Sequence, residues 1–225
     1  MEKSAFKFIS IFCLCLICIA GQAQVILDEN GRPLVARYYT DVQGSPYLAD
    51  NWQKGTVRLA NGKAYNDVEL KYDQVAEDVI FKGSAGQELR FAEPVGEFRI
   101  QTIESFGTPG ILFRSGYKPT DGATVKTFYQ VLSDGETPLL KRSFKKVMEN
   151  KPYGSATTVK TFLDVNAYYL VKNGQPLKVK RDKKAIIAAL GDYSAELENF
   201  ISTNKLSLKS DSDLIMLFTF YNSLK

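Results

Sequence analysis

The chain reads as a mainly β protein, an antiparallel meander forming a barrel, a half-barrel or a sandwich, with a short α-helical tail at its C-terminal end. Three observations carry that reading. Turn-forming pairs punctuate the chain at Asn30-Gly31, Asn61-Gly62, Asp121-Gly122, Asp134-Gly135 and Asn173-Gly174, and both residues of such pairs tolerate the positive φ that a tight hairpin needs. The runs between them place apolar residues at every second position, as a half-buried strand does. After Arg181 the apolar spacing changes to three and four residues, the mark of a helix with one apolar face.

The N-terminus has the layout of a secretory leader: Lys3 and Lys7, an apolar run over residues 8–20, then Gly21-Gln22-Ala23 before Gln24. The run is shorter than the roughly 20 residues that cross a bilayer as a helix, so cleavage after Ala23 is expected in place of a retained anchor. Cys13, Cys15 and Cys18 all lie in this run. They follow Phe12, Leu14 and Ile17, not the small residue that lipid modification requires. The predicted organisation is a leader over residues 1–23, an antiparallel β domain over 24–180 and a helical segment over 181–225. The expected mature chain has no cysteine, hence no disulfide, and the sequence has no histidine at all.

Residues 56–59 and 64–72 flank Asn61-Gly62, and Tyr65, Val68, Leu70 and Tyr72 run close to every-second spacing. Strand-like runs follow at 78–81, 88–91, 97–103, 111–114, 125–132 and 139–147. In the third, Phe98, Ile100 and Thr102 alternate with Arg99 and Gln101, predicting one wet face and antiparallel pairing. Residues 167–171 and 175–179 bracket Asn173-Gly174 as a further hairpin. No long helical period interrupts residues 25–180, which argues against a parallel α/β sheet. Adjacent tyrosines, Tyr38-Tyr39 and Tyr168-Tyr169, point to opposite faces of a strand.

In the tail, Asp182 is placed to cap a helix carrying Ile186, Ile187 and Leu190 and stopped by Gly191. A second helix presents Leu197, Phe200 and Ile201. Ser210 with Asp213 has the form of a capping box ahead of Leu214, Leu217, Phe218, Tyr221 and Leu224.

Absent residue types bound the chemistry. Without histidine there is no Ser-His-Asp or Cys-His nucleophile, no His-ligated zinc and no histidine base. Phosphate-cradling, dinucleotide and EF-hand patterns do not occur, and no cofactor is expected. Paired carboxylates can hydrolyse a glycoside without histidine, and Asp73, Glu77, Asp78, Glu93 and Glu97 are the candidates. Acids beside turns are more often solvated, so a non-enzymatic protein is the preferred reading.

Aromatic residues offer a second route. Trp52, the single tryptophan, lies in a polar stretch with Tyr47, and the two are candidate ligand-binding residues through stacking of their flat faces. The competing reading, an anchor that pins this loop to the sheet edge, carries more weight. Basic residues cluster at Lys141, Arg142, Lys145 and Lys146, and at Lys178, Lys180, Arg181, Lys183 and Lys184. These are read as solvated positions that protect strand edges, with an anionic partner as the alternative. Removing Lys3, Lys7 and Glu2 with the leader leaves three more basic than acidic residues, too few to imply a nucleic acid.

The segments Gly44-Ser45-Pro46-Tyr47-Leu48, Gly55-Thr56-Val57, Val68-Glu69-Leu70-Lys71-Tyr72-Asp73 and Ile80-Phe81, with Leu206, Lys209, Asp213-Leu214 and Tyr221-Asn222 in the tail, resemble uncharacterised exported proteins of Bacteroidota-type bacteria. The resemblance implies an envelope location and a β-rich fold, with no activity to transfer. The expected function is that of an exported module of the periplasm or outer-membrane face that binds an envelope protein, lipid or glycan. A carboxylate-dependent glycan hydrolase and a structural subunit of an envelope assembly are the alternatives. No membrane-spanning segment is expected after cleavage.

Overall fold

The computed structural model describes residues 39, 41–101, 110–151, 153–154 and 157–225. The leader, Asn30-Gly31, Tyr38 and the end of the run at 97–103 lie outside the described residues.

The protein is mainly β. Its strands are β1 (Val42–Gln43), β2 (Gln53–Leu59), β3 (Ala64–Asp73), β4 (Asp78–Lys82), β5 (Glu88–Arg90), β6 (Val95–Ile100), β7 (Ile111–Arg114), β8 (Tyr129–Ser133), β9 (Leu139–Asn150), β10 (Val159–Lys172) and β11 (Gln175–Val179). They form one sheet in the order β1-β10-β9-β8-β7-β6-β2-β3-β4-β5, with β11 also on β10. Three helices follow, α1 (Lys183–Leu190), α2 (Ser194–Thr203) and α3 (Asp211–Ser223).

The sheet is mixed, because the two residues of β1 run parallel to β10, Val42 beside Lys160 and Gln43 beside Thr161. All other pairs are antiparallel. The departure from a pure meander arises because residues 41–48 act as a strap and not as a hairpin arm. They leave the edge of β10 and reach the end of β3, where Tyr47 bridges Asp73, Leu48 N donates to Tyr72 O, and Gln74 N donates to Pro46 O. The ladder does not close into a barrel, yet it curls far enough for Lys145 N on β9 to donate to Gln74 O at 2.8 Å.

The turn pairs behave differently from one another. Asn173-Gly174 is a two-residue hairpin with φ of 52° and 72°, the primed geometry that matches strand twist. Asn61-Gly62 closes a longer turn, in which only Gly62 has positive φ. Asp121 and Gly122 also have positive φ, but their turn sits within the long connection between β7 and β8. That connection absorbs residues 125–128, so β8 begins at Tyr129.

Burial follows the two-residue period where expected. On β2, Gly55, Val57 and Leu59 are buried while Lys54, Thr56 and Arg58 are exposed. With Leu70, Tyr72, Val79, Phe98, Ile100, Phe113 and Phe128 they make an aromatic core. Phe98 and Phe113 stack at 4.7 Å, and Phe128 meets Phe98 edge-on at 4.9 Å. The other half of the sheet is buried on both faces. Tyr168 and Leu170 of β10 pack with Leu139, Val179 and the helices, while Ala167, Tyr169 and Val171 pack with Ala123, Tyr129 and Leu140. Both members of the Tyr168-Tyr169 pair are therefore core residues, one in each layer.

The helices stand where the spacing places them. Asp182 accepts from Ala185 N at 2.9 Å, and Gly191 ends α1 with φ 81°. Ser210 accepts from Asp213 N, but the Asp213 carboxylate turns away from the box and accepts from the backbone of Ser207 and Leu208. Leu197, Leu214, Leu217, Phe218 and Tyr221 are buried, and Phe200 stacks on Phe220 at 4.0 Å.

Gly55 is fixed by space. A Cβ there would lie 2.1 Å from Arg99 O and 2.7 Å from Leu70 Cδ1, so β2 could not keep its distance from β6. Gly55→Ala is expected to lower unfolding free energy by about 3 kcal/mol, the upper end for overpacking, measured by urea denaturation.

Candidate functional site

Tyr47 and Trp52, the two candidate ligand-binding residues, both turn their rings to a cation that the sequence did not single out. Lys71 on β3 sets its Nζ 4.6 Å from the Tyr47 ring and 4.8 Å from the Trp52 ring. The same ammonium pairs with Glu88 at 3.3 Å, and Tyr47 Oη donates to Glu88 Oε2 at 2.7 Å. Burial, then the Glu88 carboxylate, push the Tyr47 phenol above its ordinary value. The strap is thereby pinned to β3 and β5 through Tyr47, and Trp52, in the segment that follows it, faces the same charge, an arrangement that stabilises partly desolvated cations.

The candidate acids fall into two groups that the fold keeps on different strands. Asp73, Glu77 and Asp78 surround the turn between β3 and β4. Asp73 is buried and accepts from Tyr39 Oη, Val75 N and Ala76 N at 3.0, 2.8 and 2.9 Å, which is a turn-fixing role. Asp78 faces Arg90 at 3.3 Å. Glu97 on β6 pairs with Arg114 on β7 at 3.1 Å, and Glu93 is exposed.

Glu77 makes a contact constrained at both its backbone and its side chain. Its backbone lies in the left-handed region with φ 52°, unusual for a residue with a side chain. Its carboxylate grips Arg142 on β9 at both oxygens, Nε to Oε1 at 2.7 Å and Nη2 to Oε2 at 2.6 Å. Arg142 is 7 % exposed, and its guanidinium donates Nη1 to Asp121 O at 3.2 Å and stacks 4.5 Å over Phe144. Hydrogen bonding to Glu77 raises its affinity for the proton further, against the effect of burial. Beside the pair, Gln74 Nε2 donates to Ser143 O and Lys145 Nζ donates to Ser45 O and Tyr47 O. A polar seam thus joins the β3–β4 turn, the strap and β9.

Tyrosines ring this seam. Tyr169 Oη donates to Asp121 at 2.8 Å, and burial with that bond pushes its phenol up. Tyr72 and Tyr129 are each 1 % exposed, and their hydroxyls have no partner among the described residues. Burial pushes both upward, and the charges of Glu77 and Arg142 act on both. Of these neutral phenols only Tyr169 donates a hydrogen bond, and the others contribute buried ring packing. They supply no base near neutral pH.

Sequence reasoning read Lys141, Arg142, Lys145 and Lys146 as solvated, but of the four only Lys146 is exposed and Arg142 is buried. A signal was present: Leu140, Arg142 and Phe144 share one parity along the strand, so the guanidinium falls on the core-facing side. Lys141 reaches Asp211 at 2.7 Å and is likewise committed. Lys178 pairs with Asp121 at 2.7 Å.

Beyond this seam β9 and β10 continue as an arm whose β10 edge carries the two residues of β1 and whose β9 edge carries no further strand among the described residues. β8 stays paired with β9 only as far as Lys141, whereas the β9–β10 ladder runs to Asn150 and Val159. Val147, Met148 and Leu163 on the arm are 40 %, 46 % and 44 % exposed, and Tyr153 in the loop between the strands is fully exposed. Among the described residues no group of three acids, cysteines or histidines is arranged to hold a metal ion, and no helix is long and apolar enough to cross a membrane. Comparison with protein families, curated proteins and solved structures finds no match to this chain.

Two outcomes follow from the seam. Glu77→Gln, which leaves the buried guanidinium uncompensated, is expected to cost about 3 kcal/mol in a chemical denaturation curve. Glu77→Gln with Arg142→Met should cost less than either change alone. The second concerns alkali. Tyr168 is pushed up to about 12 by burial and the Asp211 hydrogen bond, and Tyr72, Tyr129 and Tyr169 are raised too. These groups hold their protons longer when folded, so their stabilisation is complete below the unfolded value of about 10 and is lost as pH rises beyond it. Absorbance at 295 nm should show these phenols ionising together with unfolding.

Proposed function

We propose that this protein is a non-catalytic binding module of the bacterial cell envelope that holds a partner protein against its β9–β10 arm. The observation that carries the reading is the exposure of Val147, Met148, Leu163 and Tyr153 on a ribbon that extends past the core. Met148 and Leu163 share one face of the ladder and Val147 lies on the other, and exposed apolar side chains on such a strand pair mark an interaction surface. The inner face of the curl is filled by Phe98, Phe113, Phe128 and Tyr72, so recognition is assigned to the outside. A non-catalytic role is supported by the acids at the β3–β4 turn, which serve the turn or pair with Arg90 and Arg142. Tyr47 and Trp52 turn their rings to Lys71, which favours their role as anchors of the strap.

A photo-crosslinking residue at Met148 should yield a discrete adduct in intact cells, while the same residue at Met216, exposed on α3, should not. Equal labelling from both positions, or glycan hydrolysis by the purified protein, would overturn the reading.

A further inference from the structure

We infer that the arm captures its partner by strand addition: an extended segment bearing carboxylates between apolar residues pairs with the outer edge of β9 at Val147 and Glu149. This rests on the reading of the arm as the contact surface and specifies how the contact is made.

The register of the ladder shows which backbone groups are on offer. β9 pairs with β10 without a shift from Leu139 to Asn150, so the parity of its backbone is constant. Lys145 N points away from β10, since it donates to Gln74 O, and Ser143 O on the same side accepts from Gln74 Nε2. In an antiparallel pair both polar groups of a residue point the same way, and alternate residues share that direction. Val147 and Glu149 therefore present N–H and C=O outward, past the last residue that Gln74 covers. A row of such groups is matched by another extended backbone.

Other edges are less open. β11 carries Pro176, which has no N–H to offer. β5 spans three residues, with Arg90 paired to Asp78 and Glu88 to Lys71. The β9 edge alone adds exposed Val147 and Met148 to its backbone row.

Charge selects the occupant. Lys145, Lys146 and Lys151 flank this stretch and Glu149 is the one acid within it. A second copy added antiparallel about Met148, the register in which Val147 faces Glu149, would set Lys145 against Lys151, which is destabilising across strands. A segment with glutamate or aspartate between its apolar residues meets the edge with opposite charge.

The test uses the purified protein and two capped peptides, acetyl-Val-Glu-Val-Glu-Val-amide and its counterpart with lysine for glutamate. The glutamate peptide is expected to slow amide exchange at Val147 and Glu149 at least tenfold and to bind at least tenfold tighter than the lysine peptide. Val147→Pro deletes only an outward N–H, which an edge strand tolerates, and should weaken binding at least tenfold with an unchanged circular dichroism spectrum. Should that variant misfold, Lys146→Glu with Lys151→Glu decides instead, and the preference between peptides should reverse. Absence of protection with the glutamate peptide, or undiminished binding by Val147→Pro, would overturn the inference. So would a dimer in sedimentation whose Val147 and Glu149 amides are protected without peptide. If Met148 crosslinks persist in cells carrying Val147→Pro, strand addition fails while the arm remains the contact surface. If the unaltered protein gives no specific crosslink, both fail.

Discussion

The contact between Arg142 and Glu77 is the constraint on which the shape of the molecule depends. It joins strands five places apart in the sheet order, and it does so in a region from which water is largely excluded. A charge removed from water is tolerated only when it is paired and its remaining hydrogen bonds are met. Here the carboxylate takes two of the guanidinium's donors and the Asp121 carbonyl takes a third. Those demands specify one separation between the β3–β4 turn, the β7–β8 connection and β9. Apolar packing around the curl, being non-directional, would accept several.

Much of the fold was legible in the sequence because local rules decided it. The Asn173-Gly174 hairpin, the alternation on β2 and β6, and the helix caps at Asp182 and Ser210 are settled within a few residues of chain. What could not be read was set at a distance. Gly44 to Leu48 looks like a loop, and it is one until β10 and the end of β3 supply its partners. Asp121-Gly122 has hairpin chemistry, yet the strands it would join are pulled apart because Ala123 and Tyr117 pack against the tyrosine layer. That Tyr47 and Trp52 would both face the Lys71 ammonium was not legible, because β3 brings that charge from 19 to 24 positions away. Arg142 was legible in the parity of its strand and was obscured by the lysines around it.

The two halves of the sheet solve the burial problem differently. Around β2, β3 and β6, one face is dry and its aromatic rings pack on one another. Around β9, β10 and β11, both faces are covered, one by the helices and the other by the β7–β8 connection. That is why β10 reads as an apolar run from Ala167 to Val171 and not as an alternating strand. At the helical junction, burial would raise the Asp211 carboxyl, but hydrogen bonds from Lys141 and Tyr168 outweigh it and hold the group below its ordinary value. The start of α3 is thereby tied to β9 and β10 by charge as well as by packing.

The strap carries a consequence for the order of folding. Its bonds join residues far apart along the chain: Asp41 to Lys160 across 119 positions and Ser45 to Lys145 across 100. Such contacts close large loops before they return any stabilisation, and they slow the approach to the native state. A chain emerging from its N-terminus has the strap in hand early and its counterpart late. Until β9 and β10 are complete, the strap has no edge to join. Docking of the strap is therefore a late event, set by the topology of the two residues in β1.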